Sequence, residues 1–275
     1  RYCPFRVHAA LRHGNQNEVG VMGQEPKPET ANSEQKTPRI LIAIPAFNEE
    51  TRLSGTLEAL RMAARENWEI LIIDDGSSDR TVEIARSHQV KVIKLPLHLG
   101  YGGALQTAYK FALSRDITVL VQMDADGQHE PRCIADLLQT MHQENADVCI
   151  GNRFNLKSHY QPSLPRRLGQ RFFTFVCWVL TGQKICDPTS GFKALNRKAL
   201  EILTQDDFPT DFPDADVLVN LIYRGIRISE TDVVMYPSPP GQRMHSELHQ
   251  QIHYMCKLSL SIFMIFLRNI FRIKR

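Results

Sequence analysis

The stretch from Ile117 to Asp126 reads ITVLVQMDAD, an apolar run that ends in two closely spaced carboxylates. Such a run of aliphatic and β-branched residues is typical of a strand that is buried on both faces. Similar runs alternate with helical patterns along the chain. The runs lie at 39–44, 69–73, 90–95 and 147–150, and the helical patterns at 53–65, 79–88, 100–114 and 131–143. This alternation predicts an α/β fold with a mostly parallel central sheet flanked by helices.

Acidic segments follow three of the predicted strands. They read PAFNEE at 45–50, DDGSSD at 74–79 and DADGQH at 124–129. Ligands of parallel sheets bind beyond the carboxyl ends of the strands, so these segments should meet in one crevice. Because carboxylates in one crevice repel one another, a bound cation is expected there.

Asp124 and Asp126 are the best candidates for metal ligands. In an extended segment they would point to the same side, and Ala125 would point away. Carboxylate oxygens suit a hard divalent cation such as Mg²⁺ or Mn²⁺, which keeps water and phosphate ligands. A D-x-D pair alone is a weak signal, because a solvated turn beside a helix cap gives the same pattern. That alternative also applies at 74–77, where Asp75 could instead bind a nucleobase or ribose.

The glycine cluster at 100–103 reads GYGG and matches neither of two common phosphate-binding patterns. It is not G-x-G-x-x-G, and it lacks the Lys-Ser/Thr pair of a P-loop. Dinucleotide binding and P-loop hydrolysis are therefore poor interpretations. The remaining interpretation is that the glycines let the backbone approach a ligand or the sheet closely.

The composition is that of an ordinary folded protein. The chain has 275 residues, of which 43% are hydrophobic and 23% charged, and a net charge of only +3, which argues against a nucleic-acid partner. Its six cysteines show no C-x-x-C spacing. Free thiols in a reducing compartment are expected.

Three parts are expected along the chain. Residues 1–37 are polar and predict a flexible leader, and 38–247 carry the α/β pattern. Residues 248–275 predict a basic and apolar C-terminal helix. Lys257 and Arg268 bracket an apolar run there that is about half the length needed to cross a bilayer, so no transmembrane helix is expected.

Two segments have the composition of membrane-interfacial helices. The stretch 166–180 is basic and then aromatic and apolar, and the tail 248–275 is similar. Helices packed on the sheet are the alternative for both. The interfacial interpretation predicts peripheral membrane contact at the cytoplasmic face.

Together these motifs resemble those of family 2 glycosyltransferases, which have the GT-A fold. Two later segments extend the likeness, GNR at 151–153 and DPTSGF at 187–192. It covers residues 39 to about 250 and points to the branch that contains dolichyl-phosphate mannosyltransferase and related polyprenyl-phosphate sugar transferases. The resemblance implies a GT-A-type nucleotide-binding sandwich and inverting sugar transfer from a UDP- or GDP-linked donor.

The resemblance also implies a role for each motif residue. The metal should lie at Asp124, Asp126 and Gln128, and the catalytic residues should be Asp126, Arg153 and Asp216. The nucleotide-binding residues should be Pro45, Ala46, Asn48, Glu49, Asp75, Gly103, Asp124 and Ala125. The residues for the acceptor or its phosphate should be Arg153, Arg167, Thr189, Ser190 and Arg243. For Arg153 two interpretations stay open. Its guanidinium could bind phosphate oxygens through two donors, or it could form a surface ion pair.

Two features depart from the family pattern. Relatives often carry an Arg in the loop that corresponds to 237–246, where this chain has Ser238, and Arg243 would supply the charge from a new place. Asp216 occupies the position of an acidic residue that opens a helix, but Asp214 fits that position equally well. An alternative for both residues is that their negative charge only stabilises the N-terminus of the helix through the helix dipole.

The resemblance implies a polyprenyl or dolichyl phosphate as acceptor. Such a phosphate oxygen is already anionic and needs no strong base, whereas a hydroxyl acceptor would need Asp216 or Asp214 as base. Two other functions stay open. One is a catalytically silent nucleotide-sugar-binding module, and the other is a nucleotidyltransferase, which would want a glycine- and lysine-rich loop where this chain has PAFNEE.

Overall fold

The computed structural model of the protein describes residues 38–156, 158–160, 164–206, 208–209, 213–237 and 248–273. The predicted leader at 1–37 lies outside the described residues, and so do Arg243 and nearly all of the altered loop. The described residues belong to one compact unit, Pro38–Arg275.

Seven strands form a single mixed sheet. They are β1 (Ile40–Ala46), β2 (Trp68–Asp74), β3 (Lys91–Lys94), β4 (Val119–Gln122), β5 (Val148–Asn152), β6 (Lys193–Asn196) and β7 (Ile228–Asp232). Their order is β3-β2-β1-β4-β6-β5-β7. Neighbours run parallel except at β6, which is antiparallel to both β4 and β5. The predicted mostly parallel α/β sheet is confirmed.

Eight helices connect or flank the strands of the described chain. They are α1 (Leu53–Ala63), α2 (Thr81–Ser87), α3 (Tyr101–Ser114), α4 (Cys133–Gln143), α5 (Leu164–Thr181), α6 (Arg197–Leu203), α7 (Ala215–Tyr223) and α8 (Leu248–Ile273). The elements predicted up to residue 150 are all present, and their bounds shift by at most two residues.

Both faces of the sheet are buried, as its apolar strands require. Leu41 and Ala43 of β1 belong to one core cluster, which α3, α6 and α7 cover. Ile42 and Ile44 belong to the other, which α1 and α4 cover. Since side chains alternate along a strand, a continuous apolar run serves both cores at once. The carboxyl ends of β1, β2 and β4 therefore share one edge of a rigid platform.

Helices α5, α7 and α8 pack together around a third apolar cluster. Phe173 and Cys177 of α5 meet Ala215 and Val219 of α7, and α8 contributes Leu258 and Ile262. Large apolar side chains on the other faces of α5 and α8 stay exposed, among them Trp178 at 52% and Phe263 at 53%.

The length of α8 corrects the expectation that no segment could cross a membrane. Its part from His253 to Phe271 is long and apolar enough by length and composition, and 11% of that part is buried. Counting only the apolar run between Lys257 and Arg268 missed this, because the charged residues do not interrupt the helix.

The cysteines of the described chain are free thiols, as expected from their spacing. Cys133, Cys149 and Cys177 are buried, Cys186 is half-buried and Cys256 is exposed.

Candidate active site

The loops that follow β1 and β2 are locked together by hydrogen bonds. The backbone N–H of Asn48 donates to the Ser77 hydroxyl at 2.9 Å, and the N–H of Ser78 donates to Asn48 Oδ1 at 2.9 Å. The N–H of Glu49 donates to the Thr81 hydroxyl at 2.8 Å. Asn48 has a positive φ of 54°, a conformation that asparagine tolerates better than most residues. The predicted nucleotide segments thus form one rigid wall.

The N-terminal part of that wall is largely buried. Pro45 and Ala46 lie inside β1, and the Ala46 carbonyl accepts the N–H of Asp75 at 2.9 Å. The Glu49 side chain pairs with Arg52 at 2.5 Å. Burial raises the pKa of Glu49, and the nearby charge of Asp126 raises it further, although Arg52 opposes both. Glu49 therefore faces the D-x-D segment.

Asp75 anchors the loop that leads into α3. Its carboxylate accepts the N–H groups of Leu99 at 2.7 Å and Gly100 at 2.9 Å, and it lies 2.8 Å from His98 Nδ1. Asp75 is 3% exposed, so a nucleobase would have to replace one of these partners. At Gly103 an added Cβ would come within 2.7 Å of Leu99 Cβ, and this explains the glycine by packing.

An exposed aromatic pair stands at this end of the site and was not predicted. The rings of Phe47 and His98 are stacked, with centroids 4.0 Å apart and planes 26° apart. Phe47 is 42% exposed. Phe47 lies within PAFNEE at 45–50, and that position could have marked it as a candidate binding residue.

The D-x-D segment has the predicted orientation. Ala125 is buried in the core, and its carbonyl accepts the Thr56 hydroxyl at 2.9 Å, whereas Asp124 and Asp126 are half-buried. Gln128 donates its backbone N–H at 3.0 Å and its side-chain amide at 2.7 Å to the Asp126 carboxylate. Gln128 thus orients Asp126 through a direct contact.

A chain of buried polar groups orients Asp124. Tyr109 donates to Gln122 Oε1 at 2.7 Å, Gln122 Nε2 donates to the Tyr101 hydroxyl at 3.0 Å, and Tyr101 donates to Asp124 Oδ1 at 2.8 Å. Gly191 faces the same carboxylate, and a Cβ there would lie 2.9 Å from Asp124 Oδ2. The hydrogen bond from Tyr101 and the close approach of Gly191 together fix the position of the Asp124 carboxylate.

His129 holds the backbone of Asp124 in place. Its Nδ1 accepts the backbone N–H of Asp124 at 3.2 Å, and its ring stacks on Phe192 at 4.8 Å. Burial lowers the pKa of His129 to about 4, so the imidazole is neutral at physiological pH. The sequence carried this residue in DADGQH but offered no reason to single it out.

The two aspartates suit a divalent cation that keeps other ligands. Burial raises the pKa of both, and the charge of Asp124 raises the pKa of Asp126 further. A cation between them would offset both effects. Within the described ranges no group of three or more His, Cys, Asp or Glu side chains could hold a metal ion. The chain thus offers two hard oxygen donors, which fits a cation whose remaining ligands are water and phosphate.

Arg153 is held rigidly beside these carboxylates. Its Nε lies 2.8 Å from Asp187 Oδ2, and its Nη2 donates to the Thr189 carbonyl at 2.9 Å and the Thr189 hydroxyl at 2.8 Å. The Tyr160 ring lies 5.0 Å from its guanidinium carbon. Although burial disfavours its charge, Asp187 holds the pKa of Arg153 above the usual range. Arg153 is therefore a permanent, fixed cation in a largely buried ion pair with Asp187.

Two further charged groups complete the surroundings, one buried and one half-buried, and neither was predicted. Lys193 of β6 is 4% exposed, and the charges of Asp214 and Asp216 oppose the lowering of its pKa by burial. Glu230 of β7 accepts the N–H of Cys186 at 2.8 Å and of Asp187 at 2.9 Å. Glu230 thereby fixes the loop that carries the partner of Arg153.

The other predicted acceptor residues differ in their placement. Thr189 contacts Arg153 directly, and Ser190 is buried, with its hydroxyl accepting the N–H of Phe192 at 3.3 Å. Arg167 is exposed on the first turn of α5, and no contact among the described residues joins it to the site. Asp214 and Asp216 stand at the start of α7, where Asp216 is 1% exposed.

Comparisons with known proteins found a matching family and named relatives. The family model described as glycosyl transferase family 2 matches residues 41–203. UDP-N-acetylglucosamine–dolichyl-phosphate N-acetylglucosaminyltransferase of Methanococcus voltae is 30% identical over 60% of this chain and 72% of its own length. Undecaprenyl-phosphate mannosyltransferase of Micrococcus luteus is 31% identical over 61% of this chain and 70% of its own.

A solved structure supports the fold at lower identity. Glucosyl-3-phosphoglycerate synthase of Mycobacterium tuberculosis, crystallised with Mn²⁺ and UDP-glucose, has a TM-score of 0.61 and 19% identity, covering 82% of this chain and 79% of its own. At that identity the likeness concerns the fold alone. The expected GT-A-type fold is thereby confirmed.

Proposed function

The chain belongs to glycosyl transferase family 2, and from this premise we propose that it transfers a sugar from a nucleoside-diphosphate sugar to a polyprenyl or dolichyl phosphate. The names of the relatives from Methanococcus voltae and Micrococcus luteus support a lipid-phosphate acceptor. The observation that carries the proposal is the pair Asp124 and Asp126, half-buried at the sheet edge and oriented by Tyr101 and Gln128.

Asp124 and Asp126 are the residues that would hold Mg²⁺ or Mn²⁺. When bound, the cation supplies positive charge that neutralises the leaving diphosphate. Their half-buried carboxylates and the small Gly191 opposite support this assignment. Gln128 acts in the proposal by orienting Asp126.

The nucleoside belongs at the wall formed by the loops after β1 and β2. The stacked and exposed pair Phe47 and His98 offers a flat apolar face for a base. The rigid loops around Asn48 and Glu49 would limit where the ribose sits. Asp75 acts here by holding the loop at 98–100, on which His98 is carried.

The acceptor phosphate belongs near Arg153. This guanidinium is charged and fixed by Asp187 and Thr189, and no described residue accepts a hydrogen bond from its Nη1. In the transfer, an acceptor oxygen attacks the anomeric carbon as the bond to the diphosphate breaks, and attack from the opposite side inverts the configuration. A phosphate oxygen is anionic already, so no strong base is needed.

Peripheral contact with the cytoplasmic face of a membrane is part of the proposal. A polyprenyl phosphate is embedded in lipid, so the acceptor side must approach a bilayer. The exposed apolar side chains of α5 and α8 support that approach, and exposed Arg167 and Arg171 suit anionic lipid head groups.

The substitution Asp126→Ala tests the proposal. Transfer from UDP- and GDP-sugars to polyprenyl phosphate with Mn²⁺ should fall by about 100-fold or more, because leaving-group charge is then left unbalanced. Asp136→Ala is the matched control, since Asp136 is an exposed carboxylate on α4. Thermal unfolding should show both variants folded.

The identity of the product separates the competing functions. A glycosylated lipid supports the proposal, whereas a nucleotidylated acceptor would assign a nucleotidyltransferase. Binding of nucleotide sugar without any product would assign a silent binding module. Full transfer activity in Asp126→Ala would overturn the role given to the aspartate pair.

A further inference from the structure

Helix α8 reaches the acid pair at the start of α7. The Tyr254 hydroxyl donates to Asp214 Oδ2 at 2.6 Å, and the Ser261 hydroxyl donates to Asp216 Oδ2 at 2.5 Å. Tyr254 and Ser261 are seven positions apart, so they stand two turns apart on the same face of α8. One helix therefore holds both acids.

Apolar packing keeps α8 in that place. Leu258 and Ile262 are 2% and 3% exposed, and they belong to the cluster that contains Ala215 and Val219 of α7. Water is thus kept from this side of the two hydroxyl–carboxylate bonds. Hydrogen bonds to a charged acceptor are strong in such surroundings.

Both carboxylate oxygens of Asp216 are used by contacts within the fold. Its Oδ1 accepts the N–H groups of Val217 at 2.8 Å and Asp214 at 3.1 Å, while Ser261 occupies Oδ2. The residue is 1% exposed. Because both oxygens are used and no solvent reaches them, Asp216 cannot contact an acceptor in this conformation.

Asp214 is less enclosed than Asp216 and lies within electrostatic reach of the candidate active site. Its charge acts on Asp124 and Arg153, and its effect on Lys193 exceeds that of any other acid. The residue is half-buried. Among the described contacts its Oδ2 accepts Tyr254, and no donor reaches Oδ1.

We infer that Tyr254 and Ser261 are positioning residues, that α8 is a working part of the site, and that Asp214 rather than Asp216 is the carboxylate presented to the acceptor. The inference rests on the proposed function. For a hydroxyl acceptor, Asp214 would take its proton. For a phosphate acceptor, Asp214 would keep the cations Arg153 and Lys193 in place. Neither role can be performed if the Asp214 carboxylate rotates out of this position.

The variants Tyr254→Phe and Ser261→Ala test the inference in the full chain, because each removes only a hydroxyl. Tyr254→Phe should lower kcat by about 10- to 100-fold, the effect of a slightly misplaced reacting group. The donor KM and the Kd for UDP with Mn²⁺ should stay within about twofold, since the two hydroxyls donate to acids at the start of α7 and not to the nucleotide wall. Ser261→Ala should lower kcat similarly, and Ser261→Thr should restore it.

Matched controls separate positioning from packing. Tyr223→Phe removes a hydroxyl from the same three-helix cluster, but that hydroxyl donates to the Leu180 carbonyl and to no acid. Ser259→Ala alters the same helix at a half-buried position. Both controls should keep kcat within about twofold of the native chain.

Each outcome has one meaning. A native chain without transfer activity refutes the proposed function itself. An active native chain with equally active Tyr254→Phe and Ser261→Ala variants overturns the positioning role alone. Equal loss of nucleotide binding and kcat also overturns it, because the hydroxyls would then only stabilise the fold.

Discussion

Glu230 is a half-buried carboxyl group that contacts two backbone amides and lies near two buried thiols. Its oxygens accept the N–H groups of Cys186 and Asp187. Burial raises the pKa of the Cys149 and Cys177 thiols, and the charge of Glu230 adds to that effect. Burial raises the pKa of Glu230 from 4.5 to about 7, and Asp187 contributes in the same direction. The group thus changes charge near physiological pH while it holds the Arg153 partner loop.

This pKa predicts how stability depends on pH. Since the folded pKa is raised, the contribution of Glu230 is fully present below its unfolded pKa of 4.5 and is lost as pH rises through about 7. Glu230→Gln cannot ionise. The free energy of unfolding of the native chain should therefore fall relative to that of Glu230→Gln between about pH 4.5 and 7, by at most about 1.4 kcal/mol per pH unit, and the difference should level off above that range.

Urea unfolding of both chains at several pH values measures this difference. Glu66→Gln is the control for the removal of a carboxylate, because Glu66 is exposed between α1 and β2. Parallel pH profiles for Glu230→Gln and the native chain would contradict the assigned pKa.

At the scale of elements, the segment that enters β6 is packed against the D-x-D loop. An added Cβ at Gly191 would lie 2.9 Å from Asp124 Oδ2 and 3.1 Å from the Tyr101 hydroxyl. Gly191→Ala should displace the Asp124 carboxylate and lower kcat by about tenfold or more, with the fold retained. Initial rates and thermal unfolding measure the two effects.

Gly55→Ala is the control for this change. Gly55 lies within α1, and a Cβ there would meet nothing within 4 Å. This variant should keep full activity and gain up to about 1 kcal/mol of stability, because alanine favours a helix. Native rates in Gly191→Ala would show that Asp124 tolerates movement, contrary to the expectation.

The sequence revealed those strands whose apolar runs are continuous. β1, β2, β4 and β5 serve both cores with aliphatic side chains, and these gave clear signals. β6 reads KALN and β7 reads ISETD, and neither was predicted. Their polar residues, buried Lys193 and half-buried Glu230, meet charges and amides from distant segments, which no local pattern records.

The same reason limits prediction of the site. Asp124, Asp126 and Arg153 stand in local motifs, so a strand-end argument or a family resemblance finds them. The hydroxyls of Tyr254 and Ser261 meet acids about 40 positions earlier in the chain, through the packing of α8 on α7. The basic and apolar composition of 248–275 predicted α8 but could not say what its inward face touches.

At the scale of the whole molecule, α8 has two different faces. The inward face holds the acid pair and the apolar cluster with α5 and α7. The outward face exposes Leu260, Phe263, Met264 and Phe271, which recur at helical spacing. A helix that crossed a bilayer alone would give up the bonds to Asp214 and Asp216. Within the proposed membrane contact, α8 lying along the membrane surface keeps these bonds, whereas a spanning α8 loses them, although its length would suffice.

This arrangement predicts that vesicle binding depends on the outward face of α8. A triple variant with Leu260, Phe263 and Phe271 each changed to Gln should bind anionic phospholipid vesicles on the order of 100-fold more weakly in sedimentation assays, because each apolar side chain contributes about 1 kcal/mol or more on entering lipid. Its thermal unfolding should match the native chain, since these side chains are 62%, 53% and 64% exposed. Met62→Gln is the control, since Met62 is 82% exposed on α1, and it should bind as the native chain does. Undiminished binding of the triple variant would place the membrane contact elsewhere, and resistance of the native chain to alkaline extraction from membranes would favour a spanning helix instead.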